Sequence, residues 1–245
     1  MKCSPLRVKA VLFDLGNTLV YSHPEITFQR ILFEHGIAKP LDEVTKAIIR
    51  GNAEFDVEKH EALSAHEFYT QWNIIQLKHL GLKGPKARKL AGTIDTQWWK
   101  FAEFYVYSDV RETLLRLKKM GLKLGIITGG FEEDIEMIML KTGLGELFDV
   151  KVGLNTTGKR KPNPTVFKYA LKQLKLKPNE AVFVGDNVEA DYEGAKKAGL
   201  TPVLIRRKGS STQRLFTDVS PNHLSEVRAI ETLDEIFEVL KTVNP

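Results

Sequence analysis

Asp14 stands at the end of an apolar run whose residue types set up a reactive carboxylate. Residues 8–20 read Val-Lys-Ala-Val-Leu-Phe-Asp-Leu-Gly-Asn-Thr-Leu-Val, β-branched and aromatic up to Phe13, then carrying Gly16 and Asn17, which are turn residues. Such a run predicts a buried parallel strand that delivers a carboxylate from its C-terminal end, where open α/β sheets bind ligands. Thr128-Gly129-Gly130 closes a second apolar run, Gly185-Asp186 closes a third, and Lys161 lies in a loop just ahead of Pro164. Parallel strands bring their C-terminal ends to one edge, so these residues are expected to converge. Asp14 and Asp186 then offer hard oxygen ligands to Mg²⁺, while Thr128 and the amides of a glycine turn at a helix N-terminus suit phosphate oxygens. Lys161 adds counter-charge. A carboxylate is a weak nucleophile, but beside a phosphoryl group held in line and neutralised it can form an aspartyl-phosphate.

The elements that position this set follow from periodicity and punctuation. Residues 10–13, 123–128, 181–184 and 202–205, with a short run around Val150, read as strands, each separated from the next by a helical pattern. Asp109 is placed to cap a helix ending at Met120 with Gly121 behind it, residues 132–142 form a helix closed by Gly143, and Pro164 opens another. A helix from the Gly185-Asp186 turn to Ala198 is closed by Gly199, and Thr232 caps the last one. Residues 209–222 read as loop. Repeated strand–helix units imply a parallel sheet covered on both faces. Between the first strand and the rest lies a long helical block, with helices expected over 24–36, 40–53, 64–81 and 85–105 and a capping box at Ser64-Ala-His-Glu67. Its aromatics recur at helical spacing and read as the core of a bundle. The fold class is therefore α/β, a Rossmann-like doubly wound parallel sheet with an inserted all-helical domain, divided as 1–21 and 107–245 for the core and 22–106 for the insertion.

At 245 residues the chain can bury a full core, and its net charge of +5 arises from basic residues mixed with Glu on helix faces. That pattern argues against nucleic-acid binding; the clusters Lys159-Arg160-Lys161 and Arg206-Arg207-Lys208 read as solvated faces unless a ligand site claims them. A single cysteine, Cys3, fits a reducing compartment, and no apolar segment reaches the roughly 18 residues of a membrane span, so a cytoplasmic protein is expected. Nothing in the sequence bears on oligomeric state.

The four stretches Phe-Asp14-Leu-Gly-Asn-Thr18-Leu, Ile-Ile-Thr128-Gly-Gly, Lys161-Pro-Asn-Pro-Thr-Val-Phe and Val-Gly-Asp186-Asn-Val-Glu-Ala-Asp191 resemble, in order, the motifs of the haloacid dehalogenase (HAD) superfamily. The resemblance implies a Rossmann-like core in which the insertion is a helical cap. It also implies Asp14 as nucleophile, Mg²⁺ on Asp14, Asp186 and the Gly16 carbonyl, and a phosphoryl group held by Thr128, Gly129 and Lys161. Thr18 and Asp191 would support these residues from behind, Asp191 through Lys161 or metal-bound water. Spacing alone does not choose between Lys159 and Lys161; the Lys-Pro-x-Pro context of the motif favours Lys161 and leaves Arg160 as surface charge.

One position departs from the pattern. Most phosphatases of the family carry a second Asp two residues after the nucleophile, and here that position is Gly16. General acid–base help is worth about 10²- to 10⁴-fold, so its loss slows turnover without abolishing it. The expected function is a Mg²⁺-dependent phosphatase for a small phosphorylated metabolite, slowed by Gly16. The alternatives are a phosphate-binding protein of little or no activity and, opposed by Asp186 and Asp191 crowding Asp14, a 2-haloacid dehalogenase. His23 is a candidate substitute acid, although a hinge histidine facing solvent accounts for it more simply.

Overall fold

The computed structural model describes residues 8–207 and 227–243, and the chain divides into two compact units. In the first, strands β1 (Ala10–Phe13), β4 (Lys123–Ile127), β5 (Val150–Val152), β6 (Ala181–Gly185), β7 (Thr201–Ile205) and β8 (Ala229–Ile230) form one sheet in the order β5-β4-β1-β6-β7-β8. Every pairing in it is parallel. Strands β2 (Val20–Ser22) and β3 (Phe104–Val106) form a separate two-stranded sheet. The fold is thus α/β and Rossmann-like.

β1 and β6 are buried along their whole length, as expected of central parallel strands with both faces covered. Leu12 and Phe183 pack with Val166, Phe167 and Leu171 of the helix Pro164–Leu174, and the Phe167 and Phe183 rings meet edge to face with centroids 5.0 Å apart. Gly125 of β4 is required by packing: a Cβ there would stand 2.5 Å from Val150 Cγ1 and 2.7 Å from Leu12 Cδ2.

Over the described residues the second unit is Ser22–Phe104. It comprises α1 (Pro24–Glu34), α2 (Leu41–Glu54), α3 (Ala65–His79) and α4 (Gly84–Phe101) around Phe28, Ile31, Leu32, Val44, Leu77 and Ile94. The capping box at Ser64 and Glu67 is formed. Phe68, Ile94 and Phe101 are buried, and Trp72 stacks on Phe55 while donating to Asn52 Oδ1 at 2.9 Å.

Three expectations need correction. The fourth helix stops at Phe101, where Ala102 turns to extended backbone, and Phe104–Val106 is strand, so Tyr105 is 41% exposed and stacks on Tyr21. β-branched and aromatic residues satisfied the helical spacing there, yet prefer the pleat. Asp109 stands at the start of the helix Val110–Lys119 but makes no side-chain cap; its carboxylate binds Arg207 instead. The segment after β6 opens with a π-helical turn, Val188–Glu193, before the short helix Gly194–Lys197. The segment 209–222, expected as loop, lies outside the described residues.

Candidate active site

The strand order sets the geometry. β1 lies between β4 and β6, so the residues that follow them, Asp14, Thr128 and Asp186, leave one edge of the sheet side by side. The ladder runs one residue beyond β1, with the Asp14 amide donating to the Val184 carbonyl at 2.8 Å, which fixes where the carboxylate emerges. Beyond it the chain folds back at once: the amides of Leu19 and Val20 reach the Leu15 carbonyl at 3.0 and 3.1 Å, and the Asn17 amide reaches Val20 O at 2.7 Å. Asn17 takes a left-handed conformation, φ 54°, which asparagine tolerates better than most residues.

Asp14 is buried. Lys161 Nζ donates to its Oδ1 at 2.5 Å, and the hydroxyl of the fully buried Thr18 reaches its Oδ2 at 3.5 Å, the outer limit of a hydrogen bond. Lys161 Nζ also lies 2.6 Å from Asp191 Oδ1, a second buried ion pair. The π-helical turn aims Asp191 inward. Its Oδ2 accepts from the Asn187 amide at 3.0 Å, and the Asn187 side chain accepts from the Ala190 amide at 2.8 Å. Such turns often mark functional sites. Gly185 leaves the space that the carboxylate of Asp191 occupies, since a Cβ there would overlap it.

Asp14, Asp186 and Asp191 each bring a carboxylate oxygen within 4.8 Å of the others, the described group of three that could hold a metal ion. With Lys161 as counter-charge the ionised set still carries a surplus of two negative charges, and burying like charges together is unfavourable. The titration of the site reflects this. Burial, followed by the negative charge of Asp191, raises the Asp14 pKa from 3.8 to about 6 against the pull of Lys161. Burial and the charges of Asp14 and Asp191 hold Asp186 well above its ordinary value, with Lys161 and a hydrogen bond from Asn17 opposing. For Lys161, burial works against the ammonium, but Asp14 and Asp191 outweigh it and raise its pKa, so it stays charged. All donors are oxygens of hard ligands and the surplus charge matches a divalent cation, so the residues fit Mg²⁺.

Thr128 is half-buried, its amide donating to Val152 O at 3.0 Å. The glycine turn offers fewer amides than expected. Asp134 accepts from the Phe131 amide at 2.8 Å and Asn155 from the Glu132 amide at 2.9 Å, so both are already engaged at the start of the helix Glu132–Thr142. The Gly130 amide reaches Thr128 Oγ1 at 3.4 Å, whereas the amide of the exposed Gly129 has no acceptor among the described residues. A side chain at Gly16 would meet nothing within 4 Å. Among the basic clusters, Lys161 is buried and Lys159 exposed; Arg206 is exposed, but Arg207 is buried, against the expectation of a solvated face. His23 Nδ1 faces Glu25 Oε1 at 3.3 Å.

A parallel sheet with a buried aspartate after its first strand, a lysine against it and two more carboxylates beside it defines a hydrolase of the HAD type. Residues 8–199 match the haloacid dehalogenase-like hydrolase family, and the chain belongs to it. It is 30% identical to a glyceraldehyde 3-phosphate phosphatase of Methanopyrus kandleri over 96% of this chain and 99% of that protein. It is also 28% identical to a phosphoglycolate phosphatase of Colwellia psychrerythraea over 80% of this chain and 83% of that one. A crystal structure of a HAD phosphatase from Thermococcus onnurineus superposes with a TM-score of 0.62 at 29% identity, covering 95% of this chain and 98% of that chain. Among the described residues no helix is long and apolar enough to cross a membrane.

Proposed function

We propose that this protein is a Mg²⁺-dependent phosphatase of the cytoplasm that hydrolyses a small phosphorylated metabolite through an aspartyl-phosphate on Asp14. The observation that carries the reading is the buried cluster of Asp14, Lys161, Asp186 and Asp191, whose surplus negative charge calls for a divalent cation and whose lysine touches the candidate nucleophile. Relatives named as phosphatases for glyceraldehyde 3-phosphate and phosphoglycolate support the substrate class.

In this reading Asp14, Asp186 and the Gly16 carbonyl would hold Mg²⁺, and Asp191 lies close enough to complete or support the set. When bound, the cation offsets the charge of the phosphoryl oxygens and brings the pKa of Asp14 back toward that of a free carboxylate. Asp14 attacks phosphorus; the bond to the leaving oxygen breaks as the bond to the carboxylate forms. Lys161, Thr128 and the open amide of Gly129 hold the equatorial oxygens, where charge spreads in the transition state. Thr18 and Asp191 fix the rotamers of Asp14 and Lys161. Water then cleaves the acyl phosphate and restores Asp14. Without a carboxyl at Gly16 neither the leaving oxygen nor the water receives a proton carrier from that position, so both steps run slowly.

The same gap favours one second reading, a phosphate-binding protein with little turnover. Both are tested by assaying Mg²⁺-dependent release of phosphate from aryl phosphates, glyceraldehyde 3-phosphate and phosphoglycolate, beside Asp14→Asn. The phosphatase reading expects hydrolysis that chelator and Asp14→Asn abolish. Metal-dependent phosphate binding without hydrolysis of even an activated aryl ester supports the second.

A further inference from the structure

The reading above leaves unused a buried arginine just beyond β7. Arg207 is 6% exposed, and its guanidinium is spent in an uncommon way. Nε and Nη2 both donate to the carbonyl of Thr18, at 3.2 and 2.7 Å, while Nη1 donates to Asp109 Oδ2 at 2.5 Å and Cζ lies 4.2 Å from the centroid of the Tyr107 ring. The same Asp109 oxygen accepts from the Leu233 amide at 2.6 Å, so the ion pair is itself anchored. Charge balance alone would be met by Asp109. Two donors of the fork go instead to one carbonyl, and that carbonyl belongs to the residue whose hydroxyl reaches Asp14.

Thr18 closes the loop that also carries Gly16. Backbone hydrogen bonds tie the loop from the side of Leu15 and Val20, but none of these fixes the Thr18 carbonyl, which Arg207 takes from a position 189 residues further along the chain. We propose that Arg207 is a positioning residue for the site: it clamps the Thr18 carbonyl and so sets the Thr18 hydroxyl against Asp14 and the Gly16 carbonyl toward a divalent cation. The cation part rests on the function proposed above. Lysine reproduces the clamp only in part, because an ammonium is a point charge without the planar fork.

The test uses the full chain, Mn²⁺ affinity by electron paramagnetic resonance in place of Mg²⁺, and steady-state hydrolysis of an aryl phosphate. In Arg207→Ala, kcat is expected to fall about 100-fold with KM changed less than about twofold, the scale of a misplacement near 1 Å. Mn²⁺ affinity falls in step, Arg207→Lys lies between, and added guanidinium partly restores both in Arg207→Ala. Leu117→Ala, a core truncation away from the site, serves as the control for lost stability and keeps the parent's Mn²⁺ affinity. A folded Arg207→Ala with the parent's Mn²⁺ affinity and kcat overturns the proposal, as does a control that loses Mn²⁺ affinity equally. Should Arg207→Ala not fold, Arg207→Lys decides in the same way. A parent that binds Mn²⁺ but hydrolyses nothing would sink the phosphatase reading, while the affinity arm would still judge Arg207.

Discussion

Lys161 Nζ lies 2.5 Å from Asp14 Oδ1, and both side chains are buried. Lysine and aspartate are 147 residues apart in sequence, so the contact exists only because β1 and the loop before the helix Pro164–Leu174 meet at the same sheet edge. The pair neutralises one carboxylate of the cluster, and its loss would leave all of them uncompensated.

Lys161→Met is therefore expected to abolish turnover and to destabilise the metal-free protein by about 3 kcal/mol at pH 8, the scale for breaking a buried ion pair. The cost shrinks at pH 5, where the carboxylates bind protons instead. Chemical denaturation at the two pH values measures it, and an equal loss at both would contradict the role assigned to Lys161.

The raised pKa values set the sign of a pH effect. Asp14 moves from 3.8 to about 6 in the folded protein and Asp186 moves the same way, so between pH 4 and pH 6 the folded state holds more protons than the unfolded one. Their contribution to stability is present at low pH and is lost as pH rises through that window. In excess chelator, Asp186→Asn should raise Tm above the parent at pH 7.5 and by much less at pH 4.5, and it should weaken the gain in Tm that Mg²⁺ gives the parent. Thermal scans across pH settle this, and a parent more stable than Asp186→Asn at pH 7.5 without metal would refute it.

Gly16→Asp tests the missing acid. The position has open space for a side chain and needs no left-handed backbone, so neither sterics nor backbone strain opposes the substitution. In the native protein the rate should fall steeply as leaving-group pKa rises. Gly16→Asp should flatten that slope and raise turnover of alkyl phosphates by up to about 100-fold, the lower range for general acid–base help. If His23 is the acid, the native slope is shallow and steepens in His23→Ala. Slopes measured in all three proteins separate the cases, and shallow slopes throughout would count against both.

The parts of this site legible from sequence were those fixed by local chemistry. Asp14, Thr128 and Asp186 each follow a buried strand, and the parallel sheet makes their convergence a matter of topology. Lys161 needed its surrounding motif to separate it from Lys159. The surrounding motif marks Asp191 as a supporting residue, but nothing in the six residues Val188–Glu193 distinguishes the π-helical turn that aims it inward from an α-helical one. Arg207 was hidden for a different reason. It sits in a basic triplet indistinguishable from a solvated face, and its burial depends on Thr18 and Asp109, both distant in sequence. The short strand Phe104–Val106 was likewise masked by aromatics that continued the period of the preceding helix.

The most direct test of phosphoryl transfer to Asp14 is acid-quenched capture of the phosphoenzyme from an activated aryl phosphate, followed by peptide mass spectrometry. Because Gly16 slows its hydrolysis, the acyl phosphate should accumulate. The expected result is a hydroxylamine-labile phosphoryl group on Asp14 that requires Mg²⁺ and is absent from Asp14→Asn. Hydrolysis that continues at the parent rate in Asp14→Asn, or that proceeds with the label on another residue, would contradict it.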